Sequence, residues 1–467
     1  MKRLSLLVLL VGCNKSPATM DMNSPLDMAA TEGDMTPAVV VHSTLTTEAA
    51  AAARQSCNFA AGALPAVSIA KEAPLGSEIP IDHVLILMLE NRSFDHMLAN
   101  LPAYGQPDAD VAPSTSVNFD RNGLAVNPYH LDEYCLDDPE HGWDKMHAEW
   151  DDGKNDGFVI ANQDAMYDPL GHRAMGYYTE KDLPFFYWLA SEFALGDRYF
   201  CATLGPTYPN RLFLYAGTSF GHTGNPILPE PLNNVMELLE ANKVPWHVYS
   251  QQVPGPAILL DSTAKYFNQH FDVLNEFFVA AKNGKLDQVV FLDPDVTGNA
   301  RGLSNDFHPP ADPQLGEQLL AQLVDAVTSS PDWAHTALFI TFDESGGFFD
   351  HVPPPKACPP DSIPPDGVPM SPGFDRYGFR VPLMVVSPYA KAHFVSHDVY
   401  DPTSILRFIE ARFTLPALTA RDANADPMLN LFDFQSPPRL TVAKHPDVVI
   451  DEDKKNACAM RFPAMTH

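Results

Sequence analysis

The chain has 467 residues, 45% apolar and 10% aromatic, so most of its length can bury a large core and is not disordered. Its 30 Lys and Arg against 59 Asp and Glu leave a formal charge of −29, which excludes nucleic acid as a partner, because phosphate-backbone binding needs clustered basic side chains. An anionic bilayer is repelled by the same surface unless a separate anchor holds it, and 44 prolines point to long, stiff loops rather than a helical bundle.

Lys2 and Arg3 precede an apolar run over residues 4–11 that only Ser5 interrupts. The run is too short to span a bilayer, which takes about 20 residues, and fits the apolar stretch of a secretory signal. Leu10-Val11-Gly12-Cys13 resembles the lipobox of bacterial lipoproteins, where the cysteine is acylated and becomes the mature N-terminus. An ordinary signal peptide cleaved elsewhere is the alternative. The resemblance implies a signal at 1–13 with lipidation at Cys13, and an exported lipoprotein anchored to a membrane of the cell envelope, periplasmic or surface-facing. Export also sets an oxidising compartment. Among Cys57, Cys135, Cys201, Cys358 and Cys458, one or two disulfides are expected, with an odd thiol left over. No pair has CxxC spacing, so a thiolate metal site is not expected. Residues 14–78 are rich in Ala, Thr, Ser, Pro and Met, with Phe59 their only aromatic, and read as a flexible tether. A single folded domain is expected over 79–467.

Within that domain, residues 84–89 form a continuous apolar run, as a buried parallel strand would. Long insertions are expected between about 100 and 200. Residues 246–249 and 289–292 read as further strands. Leucines at 315, 319, 320 and 323 give residues 314–327 a helical face. Residues 336–342 and 381–387 are strand-like in the same way as the first run, and nine prolines make 353–372 a loop. Asp401-Pro402 reads as an N-cap and first turn, followed by Ile405, Phe408, Ile409 and Phe413 on one face. Strands alternating with helices predict an α/β fold with a central, mostly parallel sheet covered on both faces.

Four clusters could do chemistry, at the strand ends where open α/β sheets place their sites. Glu90-Asn91-Arg92-Ser93-Phe94-Asp95-His96 follows the first strand. Its carboxylate and carboxamide are hard oxygen ligands, although Asn91 or Ser93 could instead cap the next helix. Gly205-Pro206-Thr207-Tyr208-Pro209-Asn210-Arg211 leads into helical spacing, so Thr207 meets free N–H groups and the positive end of a helix dipole. Arg211 lies one turn further on the same face and can steady a nucleophile or a phosphate. A plain N-cap role for Thr207 is the alternative. Asp343-Glu344 ends a third strand before the Gly346-Gly347 turn and His351. Adjacent carboxylates there call for a cation, unless they are a solvated pair. The fourth set is histidines in loops or strands, His141, His247 and His308, each structural when taken alone.

Taken together, these motifs resemble one family. The run from Ile81 through His96, the Gly-Pro-Thr-x-Pro-Asn-Arg at 205–211, the stretch at 343–355, and Arg380-Val381-Pro382 with Ser387-Pro388 are similar, in order, to the phosphoesterase family. That family contains bacterial phosphatidylcholine-hydrolysing phospholipases C and a group of acid phosphatases. The resemblance implies an alkaline-phosphatase-like fold and a metal-activated hydroxyl nucleophile. Glu90, Asn91, Asp343 and Glu344, with Thr207, match its metal positions, and Thr207 its nucleophile. His308 and, less closely, His141 match phosphate-contacting histidines, while His247 is a substrate-binding candidate by spacing alone. His308 or His351 is expected to protonate the leaving oxygen, and Arg211 to neutralise charge on the phosphoryl oxygens. Oxygen donors favour one Ca or Mg ion, with Zn or Mn also accommodated. Thr207-x-Pro209-x-Arg211 is also similar to the sulfatase nucleophile motif, but threonine cannot become a formylglycine. Phospholipase members tend to carry threonine as nucleophile and the acid phosphatases serine, so a phosphodiester is expected, such as a phospholipid or choline phosphoester. A phosphomonoesterase is the alternative within the class. A non-catalytic, lipid-anchored protein that binds glycan or phosphate is the alternative outside it.

Overall fold

The apolar runs that end in carboxylates form the middle of one sheet. In the computed structural model, which describes residues 40–163, 168–226, 233–296, 302–367 and 374–461, eight strands build it. They are β1 (His83–Leu89), β2 (Ala194–Gly196), β3 (Trp246–Ser250), β4 (Phe271–Val273), β5 (Val289–Asp293), β6 (Thr336–Phe342), β7 (Leu383–Val386) and β8 (Phe394–Ser396). Their order is β8-β2-β7-β6-β1-β5-β3-β4. β1 lies parallel to β5 and β6, with Leu89 opposite Phe342. All of β6, and all of β1 after His83, is buried, which is why both read as unbroken apolar runs rather than alternating ones.

One expectation about the sheet changes, and three strands are added to it. β7, expected to be parallel like its neighbours, runs antiparallel to both β6 and β2. Between β6 and β7 no helix among the described residues carries the chain back along the sheet, so the strand starts at the same edge and returns. β2, β4 and β8 carry no readable signal because each has only three residues.

The helices used below are α1 (Thr47–Gln55), α2 (Phe94–Leu98), α3 (Trp143–Trp150), α4 (Phe158–Ala161), α5 (Pro184–Glu192), α6 (Thr207–Ala216), α7 (Pro313–Thr328), α8 (Pro402–Phe413) and α9 (Glu452–Arg461). Asp312 caps α7 by accepting from Gln314 N at 2.9 Å, with Pro313 in the first turn. α7 buries Leu319, Leu320, Leu323, Val324 and Val327. Asp401 is the N-cap of α8, as its sequence predicts.

The expected tether is, from residue 40 on, part of the folded body. Ile69 and Leu75 belong to the main core, Arg54 Nη2 lies 2.7 Å from Asp426 Oδ2, and Cys57 is disulfide-bonded to Cys358. A second disulfide joins Cys135 to Cys458, and Cys201 is a buried free thiol. An Ala-rich composition does not distinguish a helix that docks from a linker. The disulfide and the ion pair, both made to distant residues, do so here.

Candidate active site

Three neighbouring strands, β5, β1 and β6, deliver acid to one edge. Asp293 is the last residue of β5, Glu90 follows β1, and Asp343 follows β6, all of them buried. α6 sends Arg211 among them. Its Nη2 lies 2.9 Å from Glu90 Oε1, its Nε 3.2 Å from Asp343 Oδ2, and its Nη1 3.9 Å from Asp293 Oδ1. Burial disfavours the guanidinium charge, but Glu90 and Asp343 outweigh it and hold the proton more tightly than usual. Arg211 thus bridges the carboxylates.

The next residues close the site. Asn91 sits in the left-handed region at φ 61°, a conformation asparagine tolerates, and its N donates to Asp343 Oδ1 at 3.1 Å. Glu344 N donates to the same oxygen at 2.7 Å, and Gly346 N to Glu344 Oε2 at 2.6 Å. The glycine pair is required by space. A Cβ on Gly346 would lie 2.3 Å from Asn91 O, and one on Gly347 2.4 Å from Glu140 O.

Among the described residues, Asn91 Oδ1, Glu344 Oε1 and Asp306 Oδ2 are buried acceptors with no hydrogen-bond donor. Burial raises the proton affinity of Asp343, to about 6, against the pull of Arg211, and burial raises Glu344 well above the carboxylate range. Buried oxygens without a hydrogen-bond donor are costly. A hard divalent cation is the partner this donor set fits, with Glu90, Asn91, Asp343 and Glu344 to hold it.

Thr207 is the first residue of α6 and is 7% exposed, while Pro206 occupies the cap position and supplies no side-chain cap. The threonine hydroxyl is therefore not the helix cap. Asn210 braces the loop before it, accepting from Thr203 N at 3.0 Å and donating to Gly205 O at 2.7 Å.

His141 and His308 face each other at 5.9 Å between ring centroids. His141 Nε2 lies 3.2 Å from Asn91 Nδ2 and 4.0 Å from Glu344 Oε1, while its Nδ1 is bonded to Pro139 O at 2.7 Å. His308 Nδ1 bonds Pro309 O, which leaves Nε2 pointing toward Asp138 Oδ2 at 3.9 Å. Burial lowers the proton affinity of both rings, but Glu344 and Asp138 push His141 up to about 9, and Asp138 and Glu90 raise His308.

The Phosphoesterase family matches residues 81–416. The chain belongs to this family. As a phosphoesterase it is a hydrolase of phosphoric ester bonds. It is 33% identical to phospholipase C B of Mycobacterium tuberculosis over 77% of this chain and 78% of that one. It is 32% identical to non-specific phospholipase C6 of Arabidopsis thaliana over 82% and 79%. Among solved structures, an alkaline phosphatase superfamily protein from Vibrio parahaemolyticus aligns over 82% of this chain and 79% of that one, at 8% identity and a TM-score of 0.38.

Five of the expected site residues of the phosphoesterase, Glu90, Asn91, Asp343, Glu344 and Arg211, converge, with Thr207 one helical turn from Arg211 and His141 and His308 alongside. Two others do not. His351 lies in a separate, partly buried network, its Nδ1 2.6 Å from Asp95 Oδ2 and its Nε2 3.2 Å from Asp110 Oδ1, beside Arg380. Asp95 and Arg380, distant in sequence, capture the ring once the glycine turn has carried the chain past the site. His247 is the second residue of β3, at the opposite end of the strand from the sheet edge that carries Asp293, Glu90 and Asp343, and is held by Asp272 at 3.1 Å and Asp287 at 3.3 Å. Cys13 lies outside the described residues. Asp293, Asp306 and Asp138 were not picked out in advance. Asp293 carried the same signal as Glu90 and Asp343, an apolar strand ending in acid. Asp138 and Asp306 lie in loops without periodicity, and only their nearness to His141 and His308 in sequence marked them.

Proposed function

We propose that this phosphoesterase hydrolyses phosphodiesters of the phospholipase C type, with Thr207 as nucleophile and one divalent cation, Ca or Mg before Zn or Mn, held by Glu90, Asn91, Asp343 and Glu344. The observation that carries the reading is Thr207 itself. It is a buried hydroxyl at a helix start, relieved of capping, one turn from the Arg211 that bridges Glu90 and Asp343. The cation supplies positive charge that favours the ionised hydroxyl and offsets charge on the phosphoryl oxygens. Thr207 Oγ1, its proton released to solvent as the hydroxyl ionises, attacks phosphorus in line with the leaving oxygen. The new O–P bond forms as the old one breaks, giving a phosphothreonine ester that water then hydrolyses. His308 Nε2 gives its proton to the leaving oxygen, and its Nδ1, fixed on Pro309 O, keeps that nitrogen turned outward. His141 holds a phosphoryl oxygen. The diester preference rests on the threonine nucleophile and on relatives named phospholipase C. A phospholipid or other choline phosphoester fits this chemistry, presented at a membrane to which acylated Cys13 anchors the protein in the cell envelope.

The test compares hydrolysis of p-nitrophenyl phosphorylcholine and p-nitrophenyl phosphate with and without chelator. Chelator-sensitive preference for the choline diester is expected. Preference for the monoester moves the protein to the acid phosphatase branch, and activity on neither with metal restored supports the phosphate-binding alternative. Mass spectrometry of the mature N-terminus tests the anchor, where an acylated Cys13 is expected and an unmodified N-terminus at another position contradicts it.

A further inference from the structure

Both histidine-bearing loops of the site are gripped from outside by one helix. Cys458 of α9 is disulfide-bonded to Cys135, on the loop that continues to Asp138 and His141. Arg461 Nη1 donates to Cys135 O at 3.1 Å, and the same guanidinium pairs with Glu133 and Asp137. Lys454 Nζ stands 3.8 Å over the Tyr134 ring. The second loop meets the same cysteine. Gly302 packs so closely that a Cβ there would lie 3.3 Å from Cys458 Cβ and 3.0 Å from Pro310 O. Pro310 belongs to the turn in which Ala311 N donates to His308 O at 2.8 Å. Just ahead of α9, Asp451 N bonds Gln314 Oε1 on α7 at 2.8 Å. The metal-binding set is anchored differently. Glu90, Asn91, Asp343 and Glu344 follow β1 and β6 in the centre of the sheet.

We propose that α9 and the Cys135–Cys458 disulfide form a clasp that positions Asp138, His141 and His308 against the carboxylate end of the sheet, and that reduction by a dithiol opens it. Cys135 and Cys458 are positioning residues. In the opening step a dithiol gives up two electrons and two protons. Its sulfurs join, the Cys135–Cys458 bond breaks, and both cysteines become thiols. The inference rests on the reading above, in which the two histidines meet the phosphoryl group.

The test uses the full chain, metal-loaded, in a Cys57→Ser/Cys358→Ser background, so that the clasp is the disulfide remaining among the described residues. Three quantities are followed before and after dithiol treatment: kcat and KM for p-nitrophenyl phosphorylcholine, the Kd for inorganic phosphate by calorimetry, and bound metal. On reduction, kcat/KM is expected to fall roughly tenfold or more, as slight misplacement of substrate-positioning groups does. Phosphate binding weakens in step, metal content holds, and reoxidation restores both. The Cys135→Ser/Cys458→Ser variant of the otherwise native chain should behave as the reduced form. Unchanged kcat/KM and phosphate affinity overturn the clasp, and so does loss of metal together with activity, which marks general loosening. If the oxidised protein hydrolyses no phosphoester but binds phosphate in a disulfide-dependent way, the functional reading fails and the clasp stands.

Discussion

Arg211 shows how the site balances charge before any cation enters. Its guanidinium spans Glu90 and Asp343, yet Glu344 Oε1 and Asn91 Oδ1 remain without donors among the described residues. One Arg cannot satisfy this set, so a bound divalent cation should stabilise the fold as well as serve the chemistry. Thermal unfolding is expected to shift upward with added divalent cation, and Glu344→Gln should shrink that shift. An equal shift in the variant would remove Glu344 from the metal set. Thr207 makes the opposite prediction. Its hydroxyl is not a cap, so Thr207→Ala should leave Tm nearly unchanged while turnover falls by ~10³-fold or more, and Thr207→Ser should retain part of the activity. Steady-state kinetics beside a melt would check both, and retained turnover in the alanine variant would overturn the nucleophile. That Glu90, Asn91, Asp343 and Glu344 come together was legible in the sequence because polar residues after fully apolar runs coincided with motifs resembling the phosphoesterase family, a coincidence Asp293 lacked. His351 was not, because its neighbours in the fold, Asp95 and Arg380, are invisible from its neighbours in the chain.

Where α7 meets α5, a buried acid has no hydrogen-bond donor for one oxygen among the described residues. Glu317 accepts from Phe186 N at 2.9 Å through Oε1, while Oε2 has no donor among them. Burial pushes Glu317 up to about 8. The folded state therefore keeps a proton that the unfolded chain gives up near its ordinary pKa of 4.5. Between those values the folded state binds more protons, so stability falls as pH rises through the window, and the penalty is complete above about 8. Glu317→Gln keeps an acceptor for Phe186 N and removes the charge. Its Tm at pH 8 should exceed the parent's by a few °C, at roughly 1 °C per kcal/mol for a folded body of this size, with no gain at pH 4. Melts at the two pH values decide this, and equal gains at both would mean that the effect is packing. The long strands and α7 were legible because periodicity over many residues survives any context. The direction of β7 was not, since an apolar strand reads alike both ways and only the connection before it sets its sense.

For the whole molecule, the N-terminal segment closes the fold across its full length. Cys57 and Cys358 are 301 residues apart in sequence, so their bond constrains a very long loop of the unfolded chain. Cys57→Ser/Cys358→Ser is expected to lose roughly 2–5 kcal/mol in urea unfolding, with the site still able to bind metal. An unchanged midpoint would show that Arg54, Ile69 and Leu75 hold the segment unaided. Composition concealed this role, because small residues serve a docked helix and a linker equally well. With Cys13 set aside, the five other cysteines left one thiol over, as Cys201 is, but pairing depends on folded proximity and was not readable.

Whether Thr207 takes the phosphoryl group is read from acid-quenched turnover. Protein mixed with p-nitrophenyl phosphorylcholine, quenched in acid and digested, should show a phosphoester on the peptide containing Thr207, absent in Thr207→Ala and absent when chelator is present. Turnover with no ester at Thr207 under any quench time, or an ester on another residue, would remove Thr207 as the nucleophile.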